Sequence, residues 1–88
     1  MNWTVRLSKE AAKQLKKLPP DRETLLVRRL REMGDDPLQG DVKPLQRKEW
    51  HGWYHKRVGR YRLIFTFDPS RHIVEVAAIL KRDERTYQ

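Results

Sequence analysis

Cysteine is absent from the 88-residue chain. That removes disulfide scaffolds, thiolate zinc sites and thiol nucleophiles together, and it fits a reducing cytoplasm. Long apolar runs are missing as well. The opening Met1-Asn2-Trp3-Thr4-Val5-Arg6-Leu7 lacks the apolar core of a signal peptide, and no stretch nears the roughly 20 residues of a membrane span. The expectation is a soluble, unprocessed protein without a membrane partner. Histidine is scarce: the three, His51, His55 and His72, have no convergent carboxylates nearby and make a poor zinc set, so no metal or other cofactor is expected. Repeats, linkers and low-complexity segments do not occur. A chain this short forms one domain, 1–88, with a core of about two layers and little room for a deep substrate cavity.

Basic charge is what the sequence has in excess: 20 Lys and Arg against 12 Asp and Glu give a net +8 and a pI near 10.2. Such a balance points to a polyanion partner and says nothing yet of chemistry. Its distribution is more telling. Residues 43–62 hold Lys43, Arg47, Lys48, Lys56, Arg57, Arg60 and Arg62 against the single acid Glu49.

The apolar pattern predicts a short strand over 2–7, then a helix capped by Ser8 with Ala11, Leu15 and Leu18 on its buried stripe. Pro19-Pro20 ends that helix. Asp21 offers the next cap, and Leu25, Leu26, Leu30 and Met33 trace a second amphipathic helix that closes at Gly34, expected in the left-handed conformation. Turn residues fill 34–40, and strands are predicted at 53–58, 61–68 and 73–81, with Asp68-Pro69 starting the last turn. The fold class is α+β in the order βααβββ. Its N-terminal αα-hairpin packs on one face of a small, mainly antiparallel sheet.

A two-residue Gly59-Arg60 loop pairs Val58 with Tyr61, Arg57 with Arg62, Lys56 with Leu63 and His55 with Ile64. Alternation then puts His55, Arg57, Arg62, Ile64 and Thr66 on one face and Tyr61, Leu63, Phe65 and Phe67 on the other. The apolar face is the helix-covered core, leaving the cationic face open. Arg57 opposite Arg62 is a repulsive pair that an anion between them would turn into bidentate attraction. On the last strand either Lys81 or Arg82 extends that face, while Lys56 points to the helix side with its ammonium reaching the edge. His55 lies in a positive field that keeps it neutral, as a general base requires, although a merely solvated strand residue explains it equally well. At least one of Trp53 and Tyr54 belongs to the core. Tyr87 either stacks on a base or folds back on the sheet edge.

The runs Asp41-Val42-Lys43-Pro44-Leu45 and Tyr54-His55-Lys56-Arg57-Val58-Gly59-Arg60-Tyr61-Arg62-Leu63-Ile64-Phe65, with Lys81-Arg82 before Tyr87, resemble the RelE/ParE superfamily of toxin–antitoxin toxins. The resemblance covers nearly the whole chain. It implies a metal-independent, ribosome-dependent mRNA interferase, in which the ribose 2′-hydroxyl attacks the adjacent phosphate to leave a 2′,3′-cyclic phosphate and a 5′-hydroxyl. Carried over residue by residue, it assigns His55 as base or base-positioning group, and Arg57 and Arg62 as phosphate clamps. Arg82 becomes a further stabiliser or acid, and Tyr87 a stacking or orienting residue. Lys43, Arg47, Lys48, Lys56, Arg60, Lys81 and Arg85 would contact RNA. Three positions depart from the pattern: His55 stands where relatives commonly have lysine or arginine, Lys81 where several have histidine, and Lys56 where relatives tend to place an apolar residue. The implied partners are the translating ribosome with its mRNA and a cognate antitoxin. A ParE-like gyrase inhibitor without nuclease activity and a non-catalytic RNA-binding domain are the alternatives.

Overall fold

The computed structural model of the protein describes residues 2–45 and 51–81. Seven elements follow in order: β1 (Thr4–Leu7), α1 (Lys9–Lys16), α2 (Pro20–Met33), β2 (Val42–Pro44), β3 (Tyr54–Val58), β4 (Tyr61–Asp68) and β5 (Ile73–Lys81). The strands form a single sheet in the order β1-β5-β4-β3-β2. Only the β1–β5 pair is parallel; the others are antiparallel. The expected order therefore gains one strand, β2. It is three residues long, and Pro44 at its end has no amide to donate, which an outer strand tolerates.

Both helices cover one face of the sheet. Ala11, Leu26 and Met33 meet Leu63, Phe65, Val74 and Val76 there, all essentially removed from solvent. Tyr54 belongs to this core, stacked on Phe65 at a centroid distance of 5.9 Å, and Trp3 meets Phe67 edge-on at 5.7 Å. Trp3 also stacks on His72, which takes a left-handed φ of 54° in the turn leading into β5. Asp68 organises that turn by accepting from the amide and hydroxyl of Ser70 and from Arg71 Nε; these bonds hold its carboxyl down at about 2.

Ser8 caps α1 as expected, its hydroxyl oxygen accepting from the Ala11 amide at 3.0 Å. The same hydroxyl donates to the Ala77 carbonyl at 2.7 Å, and Gln14 Oε1 accepts from the Ile79 amide at 2.6 Å. These bonds serve a bulge. Phe65 pairs with Val76 but Ile64 with Ala78, so Ala77 is the extra residue of β5, and α1 satisfies the backbone groups beside it. Ser8→Ala removes both a helix cap and this tie. It is expected to cost about 1–2 kcal/mol, measured as a lower urea midpoint at unchanged slope.

Both predicted helix boundaries at α2 need correction. Its N-cap is Pro19, and Pro20 occupies the first helical position, where its fixed φ and missing N–H are harmless. Asp21 is thus inside the first turn, favourable for the helix dipole, and is not the cap. At the other end Gly34 is right-handed, with φ −66°, because the chain tightens into i to i+3 bonds from Gly34 and Asp35. Its buried carbonyl accepts from the amides of Asn2 and Trp3, which sews the start of the chain to the end of α2.

Lys56 is also corrected. It lies on the helix side as the alternation requires, yet it is only 3% exposed, so its ammonium does not reach solvent at the edge. Its chain ends beneath Gly40, where an added Cβ would stand 3.5 Å from Cε. Burial lowers its pKa from the usual lysine value; the nearby Glu32 opposes that shift, Arg29 reinforces it and Asp36 opposes it. A depressed lysine pKa means that the folded state holds the proton less tightly than the unfolded one. Stability is therefore reduced at neutral pH and recovers as pH rises through the folded pKa toward 10.5. Lys56→Met leaves Glu32 paired with Arg29 at 3.1 Å. The variant is expected to match the parent or gain about 1 kcal/mol at pH 7, and to lose the parent's extra rise in stability toward pH 10, measured by denaturant titration.

Candidate functional site

The Gly59-Arg60 turn, with Gly59 at φ 56°, sets the register that places the basic residues. Arg57 pairs with Arg62, His55 with Ile64, Lys56 with Leu63 and Val58 with Tyr61, all as read from the sequence. β2 adds Lys43 opposite His55, and just before it the Asp41 carbonyl accepts from the Arg57 amide at 3.0 Å. Asp41, Lys43, His55, Arg57 and Arg62 together line a cavity of about 50 Å³ on the sheet face away from the helices. The space is small and its lining is mostly cationic, which suits a compact anionic group such as a phosphate oxyanion.

Inside the cavity Arg62 Nη1 stands 3.1 Å from His55 Nδ1. A guanidinium only donates, so Nδ1 must be the acceptor and the proton of the neutral ring sits on Nε2. Burial lowers the pKa of His55 below 6.5, the charges of Arg62 and then Lys43 lower it further, and Asp41 opposes them. The ring is consequently neutral at pH 7 and carries its one N–H at Nε2. Arg57 Nη1 lies 4.0 Å from Asp41 Oδ2, both side chains about half exposed, a pair worth at most about 1 kcal/mol. Each arginine of the repulsive pair thus leans toward a different neighbour, Arg57 to Asp41 and Arg62 to His55.

The structure brings together four sequence-predicted residues: Lys43, His55, Arg57 and Arg62. Arg60 is exposed in the turn and does not line the cavity. Lys56 leaves the RNA-contacting set because it is buried on the opposite face. Lys81 pairs with Tyr61 and so has helix-side parity, while Leu80 pairs with Arg62 on the cationic face; the bulge at Ala77 causes this exchange. That face is less bare than expected, since Ile64 on it is 7% exposed. Arg47, Lys48, Arg82, Arg85 and Tyr87 lie outside the described residues. Asp41 is the residue that sequence reasoning missed. Its signal was the spacing to Lys43, which puts both on the His55 and Arg57 side once a strand is recognised there. Among the described residues no group of three or more His, Asp or Glu is arranged to hold a metal ion.

The family model described as ParE toxin of type II toxin–antitoxin system, parDE, matches residues 5–86. The chain belongs to the ParE toxin family. The toxin is 30% identical to a chain of the toxin–antitoxin complex RelBE2 from Mycobacterium tuberculosis, with a TM-score of 0.82 over 93% of this chain and 100% of that one. A chain of the archaeal RelE–RelB complex from Pyrococcus horikoshii OT3 gives the same TM-score at 20% identity, covering 96% of this toxin and 99% of its counterpart. The isolated E. coli RelE toxin follows at 0.76 and 19% identity, over 96% and 88%. These likenesses make the architecture that of RelE-like toxins. Comparison with curated proteins gives no match.

Proposed function

We propose that this toxin is a ribosome-dependent endoribonuclease that cuts mRNA in the ribosomal A site without a metal or other cofactor, acting in the cytoplasm. The observation that carries the reading is the small cavity in which Lys43, Arg57 and Arg62 converge with a neutral His55. Cleavage by 2′-hydroxyl attack builds negative charge on the phosphoryl oxygens, and preorganised cations and N–H donors are what such a transition state requires. Arg57 and Arg62 would clamp the phosphate, and His55 would donate through Nε2 or position the attacking group. Arg82 and Tyr87 keep the roles that the family resemblance implies. Purified toxin added to a cell-free translation reaction is expected to cut ribosome-bound mRNA at codon positions. Intact mRNA under those conditions would refute the reading.

The family description gives a reason to weigh a second reading, a ParE-like gyrase inhibitor. DNA breaks accumulating with gyrase, alongside intact mRNA, would establish it. In either case the proposed partner is an antitoxin. The M. tuberculosis and P. horikoshii relatives were solved as toxin–antitoxin complexes. An apolar groove of about 400 Å³, lined by Trp3, Val5, Leu7, Leu15, Val27 and Leu30, runs beside β1 and is suited to apolar side chains of such a partner.

A further inference from the structure

The chemistry proposed above needs a proton acceptor for the 2′-hydroxyl, and the cavity offers few. Lys43, Arg57 and Arg62 are donors only. His55 has committed Nδ1 to the bond from Arg62, and its Nε2 carries the proton, so the neutral ring has no lone pair left to accept another. Of the five side chains that line the space among the described residues, Asp41 alone remains with open lone pairs. Its carboxylate is about half exposed, and Arg57 at 4.0 Å occupies one side of one oxygen. The bond from the Arg57 amide to its carbonyl fixes the backbone from which it projects.

Resting on the nuclease reading, we propose that Asp41 is the general base of this site. Its carboxylate takes the proton of the 2′-hydroxyl as the oxygen attacks phosphorus. The bond from phosphorus to O2′ forms, and the bond from phosphorus to O5′ breaks. The leaving oxygen takes a proton from water, and Asp41 returns its own to water, so the net change is a transesterification to the cyclic phosphate. Lys43, Arg57 and Arg62 carry the phosphoryl charge, and His55 Nε2–H bonds a non-bridging oxygen. This division differs from the sequence reading, which assigned His55 as base or base-positioning group.

Single-turnover cleavage of mRNA on programmed ribosomes tests the assignment, with binding of a 2′-deoxy RNA oligonucleotide as the second readout. Asp41→Asn keeps shape and removes the base; it is expected to cleave about 100-fold or more slowly, the range for losing a general base. It should bind the deoxy oligonucleotide as tightly as the parent or tighter, because a negative charge has left the site. Its residual rate should climb about tenfold per pH unit above neutrality as hydroxide replaces the carboxylate, and Asp41→Glu should restore part of the rate. Cleavage by Asp41→Asn within about threefold of the parent overturns the inference, and so does a slow variant whose oligonucleotide binding has collapsed, since Asp41 would then merely tether Arg57. A parent that cuts no mRNA at all defeats the nuclease reading itself, and this inference falls with it.

Discussion

Arg62→Ala is expected to slow mRNA cleavage by about 100-fold or more, the usual consequence of deleting one donor that stabilises a developing oxyanion. Two losses combine in this variant. The guanidinium disappears from the small cationic cavity, and the bond that fixes the His55 tautomer disappears with it. The protonation of His55 should move as well. Arg62 is, after burial, the largest influence lowering the His55 pKa, so removing it lets the imidazole protonate at a higher pH. The titration of the His55 imidazole, read from its proton resonances, should accordingly shift upward relative to the parent. Arg62→Lys keeps a charge but loses the planar fork, and should recover only part of the rate. Primer extension on ribosome-bound mRNA measures all three proteins. Parental cleavage by Arg62→Ala would remove Arg62 from the mechanism, and the thermal melt of the same variant separates lost chemistry from lost structure.

Phe65→Ala is expected to have the largest effect on stability. Phe65 is fully buried at the centre of β4, between the helices and the ring of Tyr54. Truncating a buried phenylalanine costs about 3–5 kcal/mol, against a total stability of about 5–15 kcal/mol for a domain. Each kcal/mol moves the melting temperature of a domain this small by about 4–8 °C. A fall of about 15 °C or more in a circular dichroism melt follows, and a fall below about 5 °C would show that this face is not the core.

How much of this the sequence disclosed depended on whether the determining interactions were local. The Gly59-Arg60 hairpin was readable to the residue because a two-residue turn fixes the register of both flanking strands. The Ser8 cap was readable because its partner is three residues away. The bulge at Ala77 was not, since what stabilises it is a bond to Ser8, 69 residues distant, and another to Gln14. That single slip decided which of Leu80 and Lys81 borders the site. Strand β2 was hidden by its brevity and its proline, and Asp41 was hidden with it. The caps of α2 were misassigned for a related reason. Pro20 starts the helix one residue before Asp21, and Gly34 is held by the N-terminal backbone instead of by a left-handed turn of its own.

The position of β5 has a consequence for how the toxin comes into being. It is the strand synthesised last among those described, yet it lies inside the sheet, between β1 and β4. Until Ile73–Lys81 has emerged, β1 has no neighbour to pair with and α1 has no strand to rest on. The nascent chain up to β4 can form its helices and local hairpins, but the helix-facing surface of Phe65 and Leu63 cannot be closed. Closing the sheet therefore waits for β5, whose parallel pairing with β1 joins the two ends of the described chain and carries the loop-closure entropy of the segment between them. The groove beside β1 takes its final shape only when β1 docks on β5, whereas every residue lining the cationic cavity lies between Asp41 and Arg62 and is made before that strand.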